Sequence, residues 1–253
     1  MNECVYYLEE NNIGNIVLNR PEKLNALSED FLCELDRIIS EIDFDRIRCL
    51  VFKSSSEKSF IAGADIREMA DLDVESSFKY SQLGQSVFEK IRNIPIPTVA
   101  FVNGYTFGGG CELMLSCDIR IASNRGKFGF PEVSLGILPG FGGTQILPKV
   151  VGISRAKLLI YTGKTINADE AKNIGLVDDV FPSDVFEEEG TAIVQMIVNN
   201  APIAIKYVKQ LISLDPEDFE KESKLFSQCF KTKDAKNGMQ AFLDKKERVF
   251  KGN

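Results

Sequence analysis

Two glutamates stand at the borders of glycine-rich, uncharged parts of the sequence. Glu112 lies two residues after the run Gly108-Gly109-Gly110, and Glu132 follows twenty residues later, behind Phe128-Gly129-Phe130-Pro131. A carboxylate in such surroundings is costly unless it is paired or used in chemistry. A solvated helix face is the alternative explanation for either glutamate alone. The shared context favours a functional role for both.

The chain contains no histidine, and this absence restricts the possible chemistry. Ser-His and Cys-His catalytic pairs, HExxH sites and histidine metal ligands are all excluded. Acid–base chemistry must therefore come from carboxylates, lysine, tyrosine or cysteine. The six cysteines form no CxxC pair and no zinc-like spacing, so we expect reduced and mostly buried thiols.

Two turns of small residues could offer backbone N–H groups to a ligand. The run of three glycines separates a predicted strand from a predicted helix, and Ala62-Gly63-Ala64-Asp65 follows the strand-like piece 59–61. Because no bulky side chain obstructs these turns, their N–H groups suit a carbonyl oxygen that gains negative charge. A tight strand-to-helix turn is the alternative for the glycine run.

Nucleotide-binding loops are not supported. Gln145 occupies the place of the third glycine that a GxGxxG fingerprint needs after Gly140 and Gly142. Leu158 stands where a phosphate-binding loop ending in Gly163-Lys164-Thr165 needs its first glycine.

Strand-like runs alternate with amphipathic helices, which is typical of an α/β fold. The predicted strands cover residues 16–18, 49–52, 98–103, 119–122 and 176–181. Ser28 is the predicted N-cap of one helix. Asn167 and Glu170 form the predicted capping box of another, which Gly175 should end.

The predicted strands stop after Pro182, and four helices follow at residues 184–199, 202–213, 216–230 and 234–250. The length of 253 residues allows one large domain with an appendage, which we divide into a core of residues 1–182 and a helical region of residues 183–253. A helical tail of this length cannot easily bury itself alone. Apolar positions such as Phe226, Phe230 and Phe242 suggest that it packs against the core or against other subunits.

The net charge of −7 argues against nucleic acid as a partner. The uncharged stretch 93–111 has the length of a membrane span, but its prolines and glycines disfavour one, so no membrane association is expected. The acidic start of the chain does not resemble a signal peptide, and a cytoplasmic location is therefore expected.

Together these segments resemble the enoyl-CoA hydratase/isomerase family, or crotonase superfamily. The AGAD turn, GGGCE and a second glutamate twenty residues later form a specific combination, and the resemblance covers nearly the whole chain. It is closest to short-chain enoyl-CoA hydratases, also called 3-hydroxybutyryl-CoA dehydratases. The matching segments are NRPEKLNALS (19–28), SFIAGADI (59–66), PTVAFVNGYTFGGGCEL (97–113), KFGFPEVSLGILPGFGGTQ (127–145), YTGKTINADEAKNIGLVDDV (161–180) and AFLDKKERVF (241–250).

The resemblance implies a spiral of ββα units followed by a helical trimerisation region, assembled as a homotrimer or a hexamer of two trimers. It implies that the N–H groups of Ala64 and Gly109 form an oxyanion hole for a thioester carbonyl. Glu112 and Glu132 would be the paired acid and base, and the N–H of Gly140 would help to hold the catalytic water. Contacts to coenzyme A and the acyl chain are implied at Lys23, Leu24, Ala62, Asp65, Ile66 and Arg67.

The presence of both glutamates favours reversible hydration of a short-chain trans-2-enoyl-CoA to the 3-hydroxyacyl-CoA, in fatty-acid β-oxidation or butyrate-type metabolism. No metal and no cofactor are implied, because the acyl-CoA thioester is the substrate. Family isomerases commonly keep only the second glutamate, so a Δ3,Δ2-enoyl-CoA isomerase is the alternative. A non-catalytic acyl-CoA-binding protein is another.

Two positions depart from the usual family pattern. Phe130 stands where hydratases often carry glutamine, and we expect it to lie near the acyl chain and narrow the site. The alternative for Phe130 is a core residue packed away from the site. Ile146 replaces a common arginine, which we interpret as a surface or packing exchange.

Overall fold

The computed structural model describes residues 3–212 and 217–253. It contains ten strands, with short 3-10 helices at Pro21–Lys23 and Pro131–Leu135. The strands are β1 (Val5–Glu10), β2 (Ile13–Leu18), β3 (Cys49–Ser54), β4 (Ser59–Ile61), β5 (Thr98–Val102), β6 (Tyr105–Phe107), β7 (Ile119–Ser123), β8 (Lys127–Gly129), β9 (Ile166–Asn167) and β10 (Asp179–Phe181).

The described residues also form eleven α-helices. They are α1 (Glu29–Glu41), α2 (Ile66–Met69), α3 (Val74–Arg92), α4 (Gly109–Met114), α5 (Gly143–Val151), α6 (Ile153–Thr162), α7 (Ala168–Asn173), α8 (Phe186–Val198), α9 (Pro202–Ile212), α10 (Phe219–Cys229) and α11 (Lys233–Leu243).

The strands build two sheets, in the orders β1-β2-β3-β5-β7-β10 and β4-β6-β8-β9. All pairs are parallel except the β1–β2 hairpin and the β8–β9 pair. Three successive strand pairs, β3–β4, β5–β6 and β7–β8, each add one strand to each sheet and lead into a helical segment. The predicted α/β fold is confirmed.

The six-stranded sheet is covered on both faces, in agreement with the continuous burial of strand β5. One face packs in a cluster that includes Phe31 and Leu35 of α1 and Phe88 of α3. The other face packs against Phe186 and Val194 of α8. Helix α8 therefore packs on the sheet from beyond the proposed division at residue 182, while the last strand ends before it.

The structure confirms most of the predicted helix ends. The Ser28 hydroxyl accepts the N–H of Phe31 at 3.2 Å and caps α1. Asn167 caps α7 by accepting the N–H of Glu170, and Gly175 turns the chain with φ +76°. The Glu170 side chain does not complete the predicted capping box, because it pairs with Lys164 Nζ at 2.6 Å instead.

The helical tail was predicted correctly in order, but its last helix ends earlier than expected. Helix α11 stops at Leu243, and residues 244–253 return along it. The buried Asp234 carboxylate accepts the N–H groups of Lys251 and Gly252, at 2.8 and 2.7 Å. Arg48 Nη2 donates to the carbonyl of Phe250 at 2.7 Å and so ties this return to the sheet. The predicted helix residues 213 and 216 lie outside the described residues.

All six cysteines are free, but only Cys49, Cys111 and Cys117 are buried, and Cys33 is exposed. The expectation of mostly buried thiols is therefore half right. No helix within the described parts of the chain has the length and apolar character needed to cross a bilayer.

Candidate active site

The first small-residue turn follows β4 and is held by Leu27. Ala64 and Leu27 form a parallel bridge, in which the N–H of Leu27 donates to the Gly63 carbonyl and the N–H of Asp65 donates to the Leu27 carbonyl, at 2.9 and 2.7 Å. In a parallel bridge, one residue makes both hydrogen bonds, and it makes them to the two neighbours of its partner rather than to the partner itself. Here Leu27 bonds to the neighbours of Ala64. The N–H of Ala64 therefore points away from Leu27, and Ala64 lines a cavity.

The glycine run joins β6 to α4 and lies against the first turn. Gly108 has φ +47° and ψ −117°, a conformation that residues with a Cβ rarely adopt. A Cβ on Gly110 would lie 2.2 Å from the carbonyl oxygen of Ile61, so glycine permits the close approach of the two turns. Gly109 is the first residue of α4, and its N–H has no acceptor within the helix. It also lines the cavity.

Glu112 lies in the first turn of α4 and is 2 % exposed. One of its carboxyl oxygens, Oε1, accepts the N–H groups of Phe141 and Gly143, at 2.9 and 2.7 Å. Burial and the nearby Glu132 charge raise the pKa of Glu112 to about 7, while the two N–H groups act in the opposite direction. This carboxyl group therefore exchanges its proton near neutral pH.

Glu132 lies in the 3-10 helix that follows β8, and its carboxylate faces the glycine run. Its Oε1 would be 2.6 Å from a Cβ placed on Gly108, which is a second reason for glycine at that position. Its Oε2 is buried and has no hydrogen-bond partner among the residues that the structure describes. Burial raises the pKa of Glu132 above its ordinary range. An unpartnered buried carboxyl oxygen is a strong indication of a ligand site.

Both glutamates and both turns line one cavity of about 660 Å³. Its remaining wall is mostly apolar and comes from two segments, the 66–81 segment around α2 and the start of α3, and residues 135–141. This wall suits an apolar part of a ligand, while the carboxyl groups and backbone N–H groups form the polar end of the cavity. No group of three or more acidic or cysteine side chains in residues 3–212 and 217–253 is arranged to hold a metal ion.

Comparison with known proteins identifies the family of this chain. Residues 8–253 match the enoyl-CoA hydratase/isomerase family model. The chain belongs to the enoyl-CoA hydratase/isomerase family. It is 44% identical to a short-chain-enoyl-CoA hydratase of Clostridium acetobutylicum, over 94% of both chains. It is 41% identical to a crotonyl-CoA hydratase of Syntrophomonas wolfei subsp. wolfei, over 98% of both. The prediction of a crotonase-superfamily enzyme is confirmed.

A solved structure of an enoyl-CoA hydratase from Bacillus anthracis is similar over the whole fold. Its TM-score to this chain is 0.95, with 36% identity, 99% of this chain and 100% of that chain being covered. The family fold therefore extends through the helical tail as well as the sheets.

The family residues expected at the substrate divide into two groups. Ala62, Ala64, Ile66, Gly109, Glu112, Glu132 and Gly140 all line the cavity, whereas Lys23, Leu24, Asp65 and Arg67 do not. Leu24 is nevertheless adjacent to the first turn, because its carbonyl accepts the N–H of Ala62 at 3.0 Å. Asp65 caps α2 and pairs with Arg20 at 3.1 Å, and Arg67 is exposed on the surface.

Phe130 does not lie where the family comparison suggested. It is fully buried, does not line the cavity and packs against Gly143, beneath the donors to Glu112. This placement favours the alternative of a core residue over the expectation that Phe130 narrows the acyl site. The direction of the Phe130 side chain was predicted from the alternation of side chains along a strand. That alternation does not apply here, because β8 ends at Gly129 and Pro131 starts a 3-10 helix. Ile146 packs against the main core, which agrees with a packing exchange.

Sequence reasoning missed the residues that hold the glutamate and the turns. Phe141 and Gly143 donate their backbone N–H groups to Glu112, and Leu27 orients Ala64. None of these contributions involves side-chain chemistry, so residue type gave no signal. The glycine-rich segment 140–143, in which the sequence singled out only Gly140 for the site, was the one available indication.

Proposed function

We propose that this chain catalyses the reversible hydration of short-chain trans-2-enoyl-CoA thioesters to 3-hydroxyacyl-CoA. The observation that carries the proposal is the convergence of the buried Glu112, the partly buried Glu132 and two backbone turns on one cavity. The hydratase names of the relatives in Clostridium acetobutylicum and Syntrophomonas wolfei support the same reaction.

The reaction needs two carboxyl groups in opposite protonation states. A water molecule loses a proton to the ionised carboxylate as its oxygen bonds to Cβ, and the protonated carboxyl gives its proton to Cα. The pKa values of Glu112 and Glu132 are both raised by burial, which supports a pair that keeps one proton near neutral pH. Because the two groups interact, the titration belongs to the pair.

The thioester oxygen gains negative charge while the Cα–Cβ double bond is consumed. In our proposal it accepts hydrogen bonds from the N–H groups of Ala64 and Gly109, which stabilise that charge without any reorganisation of water. Gly140 would hold the water through its N–H. In support, its carbonyl is fixed by Ser81 Oγ and Gln85 Nε2, at 2.6 and 2.9 Å.

Coenzyme A is proposed to lie along the first turn, over Lys23, Leu24, Ala62 and the segment 65–67. The hydrogen bond between Leu24 and Ala62 supports this, because it joins the 23–24 segment to the cavity wall. No separate cofactor enters the proposed reaction, since the thioester is itself the substrate.

The assembly and setting of the enzyme are also proposed. The strand–strand–helix order supports the family spiral of ββα units, and the exposed apolar side chains of α9 to α11 support a trimerisation region, in a homotrimer or hexamer. The short-chain and crotonyl-CoA names of the relatives support a role in β-oxidation or butyrate-type metabolism. Six free thiols support a cytoplasmic location.

The deciding experiment follows crotonyl-CoA with the purified protein. Hydration removes the conjugated double bond, so the absorbance of the enoyl thioester should fall, and chromatography should show 3-hydroxybutyryl-CoA. A 3-enoyl-CoA is tested in parallel. Conversion of the 3-enoyl-CoA to the 2-enoyl-CoA without any hydration would assign the chain to the isomerases instead.

A further inference from the structure

Helix α3 contacts both halves of the candidate site through one buried residue, Tyr80. Its hydroxyl donates to the carbonyl of Leu27 at 2.8 Å. The same carbonyl accepts the N–H of Asp65, and the N–H of Leu27 donates to Gly63. Tyr80 is thus one hydrogen bond away from the bridge that orients the N–H of Ala64.

The ring of Tyr80 contacts the other half of the site. It meets the ring of Phe141 edge to face, with 5.2 Å between the ring centroids. The backbone N–H of Phe141 donates to Glu112, and its ring lies about 3.1 Å from the place of a Cβ on Gly109. One side chain therefore contacts the supports of both the oxyanion turns and the acid–base pair.

The Tyr80 hydroxyl is well suited to a fixed structural bond. Tyr80 is 8 % exposed, and burial raises the pKa of Tyr80 far above its ordinary value, so the hydroxyl keeps its proton and remains a donor at every working pH. Since its proton is directed at a backbone carbonyl, it is not aimed at the reacting atoms.

We propose that Tyr80 is a positioning residue that fixes the oxyanion N–H of Ala64 relative to the Glu112 carboxyl group. The inference rests on the proposed hydration reaction. Without the hydroxyl, the Leu27 carbonyl keeps its bond from Asp65 but loses its anchor to α3. The turn then gains freedom at the point where an N–H must meet the thioester oxygen, and small errors of position there are costly.

The test is Tyr80→Phe, which keeps the ring, its contact with Phe141 and its burial. We expect kcat for crotonyl-CoA to fall by about 3- to 30-fold, in line with one misplaced hydrogen-bond donor, with KM changed by less than about twofold. The pH dependence of kcat/KM should keep its midpoints, because the N–H groups that hold Glu112 are untouched. Tyr7→Phe is the control, since it removes a hydroxyl bonded to Glu9 on the edge strand β1.

A spectroscopic measurement separates positioning from a general loss of structure. Bound cinnamoyl-CoA absorbs at longer wavelength when hydrogen bonds polarise its thioester carbonyl. We expect this red shift to be smaller in Tyr80→Phe than in the wild type and in Tyr7→Phe, with equal melting temperatures for the control and the wild type.

Three results would overturn the proposal. They are a wild-type kcat and red shift in Tyr80→Phe, a higher KM with unchanged kcat, and a lower kcat with an unchanged red shift. A wild-type protein that binds cinnamoyl-CoA but hydrates no enoyl-CoA would contradict the proposed function instead, and the red-shift comparison would still test the role of Tyr80.

Discussion

At the scale of single residues, Glu112 and Glu132 differ in their hydrogen bonding. Glu112 Oε1 holds two backbone N–H groups, whereas Glu132 Oε2 is buried and unpartnered among the described residues. Both carboxyl groups are needed if one removes a proton from water while the other delivers one to carbon. Replacing either carboxyl group by a neutral group should therefore remove the catalytic contribution of both.

We expect Glu112→Gln and Glu132→Gln each to lower kcat by about 10²- to 10⁴-fold, the usual contribution of a general acid or base, with little change in KM. The double variant should lose much less than the product of the two losses. Steady-state kinetics with crotonyl-CoA measures this, and Glu57→Gln, at an exposed glutamate, is the control. Full activity in either single variant would remove that carboxyl from the mechanism.

The raised pKa of Glu112 also makes stability depend on pH. Folding raises this pKa from an ordinary 4.5 to about 7, so the folded chain binds the proton more tightly than the unfolded chain. The stabilisation from the bound proton is complete below pH 4.5 and is lost as pH rises to about 7. Above that pH a buried charge opposes folding.

Glu112→Gln removes this charge while its amide oxygen can still accept both N–H groups. We expect its free energy of unfolding to exceed that of the wild type by roughly 1–3 kcal/mol at pH 8, with a smaller difference at pH 5. Urea denaturation at the two pH values measures the effect. An equal difference at both would show that Glu112 titrates as an ordinary glutamate, and Glu57→Gln again reports the effect of a surface charge.

Residue types and spacing were enough to find the polar end of the site. Glu112, Glu132, Ala64 and Gly109 were singled out from sequence, and all line one cavity. The supports of these residues were not found, because a backbone N–H of Phe141 or a carbonyl of Leu27 is present at every position of a chain. Only the tertiary structure decides which of these groups meets the site.

At the scale of elements, helix α3 determines the position of Phe141 by packing against its ring. The ring lies over Gly84, where an added Cβ would be 2.2 Å from Phe141 Cδ1. The ring of Phe88 meets it from the same helix, with centroids 5.6 Å apart. The absence of a side chain at Gly84 therefore determines how closely Phe141 approaches the helix, and hence where its N–H meets Glu112.

Gly84→Ala should displace the Phe141 ring and weaken the hydrogen bond to Glu112. Because that bond lowers the pKa of Glu112, its loss should move the Glu112 midpoint in the pH dependence of kcat/KM upward. We also expect overpacking to cost about 1–3 kcal/mol of stability. Ser86→Ala changes an exposed residue of the same helix and should leave both quantities unaltered. A lower stability with unchanged midpoints would show that Gly84 serves packing alone.

Strands and helices could be predicted where their burial produces a long pattern of apolar residues in the sequence. Strand β5 is buried throughout and was found nearly to the residue. Strands β6, β8 and β9 have three residues or fewer, which is too short for any alternation to show. The end of α11 was misplaced because the charged residues 244–248 contain no glycine or proline that would mark a helix end. The chain reverses after Leu243, and the N–H of Lys251 then donates to the Asp234 side chain, seventeen residues earlier in the sequence. No local sequence pattern predicts such a contact.

At the scale of the whole molecule, the helical tail has more apolar surface than the monomer covers. Helices α9 and α10 have no buried residue, and Phe219 and Phe242 are 74 % and 71 % exposed. Exposed phenylalanines at this density mark a surface for association. Helix α8 packs on the sheet, whereas these phenylalanines remain uncovered in the monomer.

We expect light scattering of the full chain to give the mass of a trimer or of a hexamer. Removal of residues after Asn199 should give an aggregated or unfolded product, because it deletes the apolar surface together with the bond from Arg48 to Phe250. A monodisperse and active monomer would contradict this. Arg37→Ala, at an exposed surface pair of α1, is the control and should keep the assembled mass.

Because the chain has no histidine and the pKa values of Glu112 and Glu132 are raised, proton exchange by these two glutamates can be measured in the intact protein. Between about pH 5 and 7, ordinary carboxyl groups are ionised and lysines are charged, and the chain has no imidazole to buffer that interval. Proton uptake or release there comes from groups with displaced pKa values, foremost the two glutamates. Calorimetric titration of a thioester ligand in buffers of different ionisation enthalpy would therefore count the protons taken up or released on binding, with no contribution from histidine to subtract.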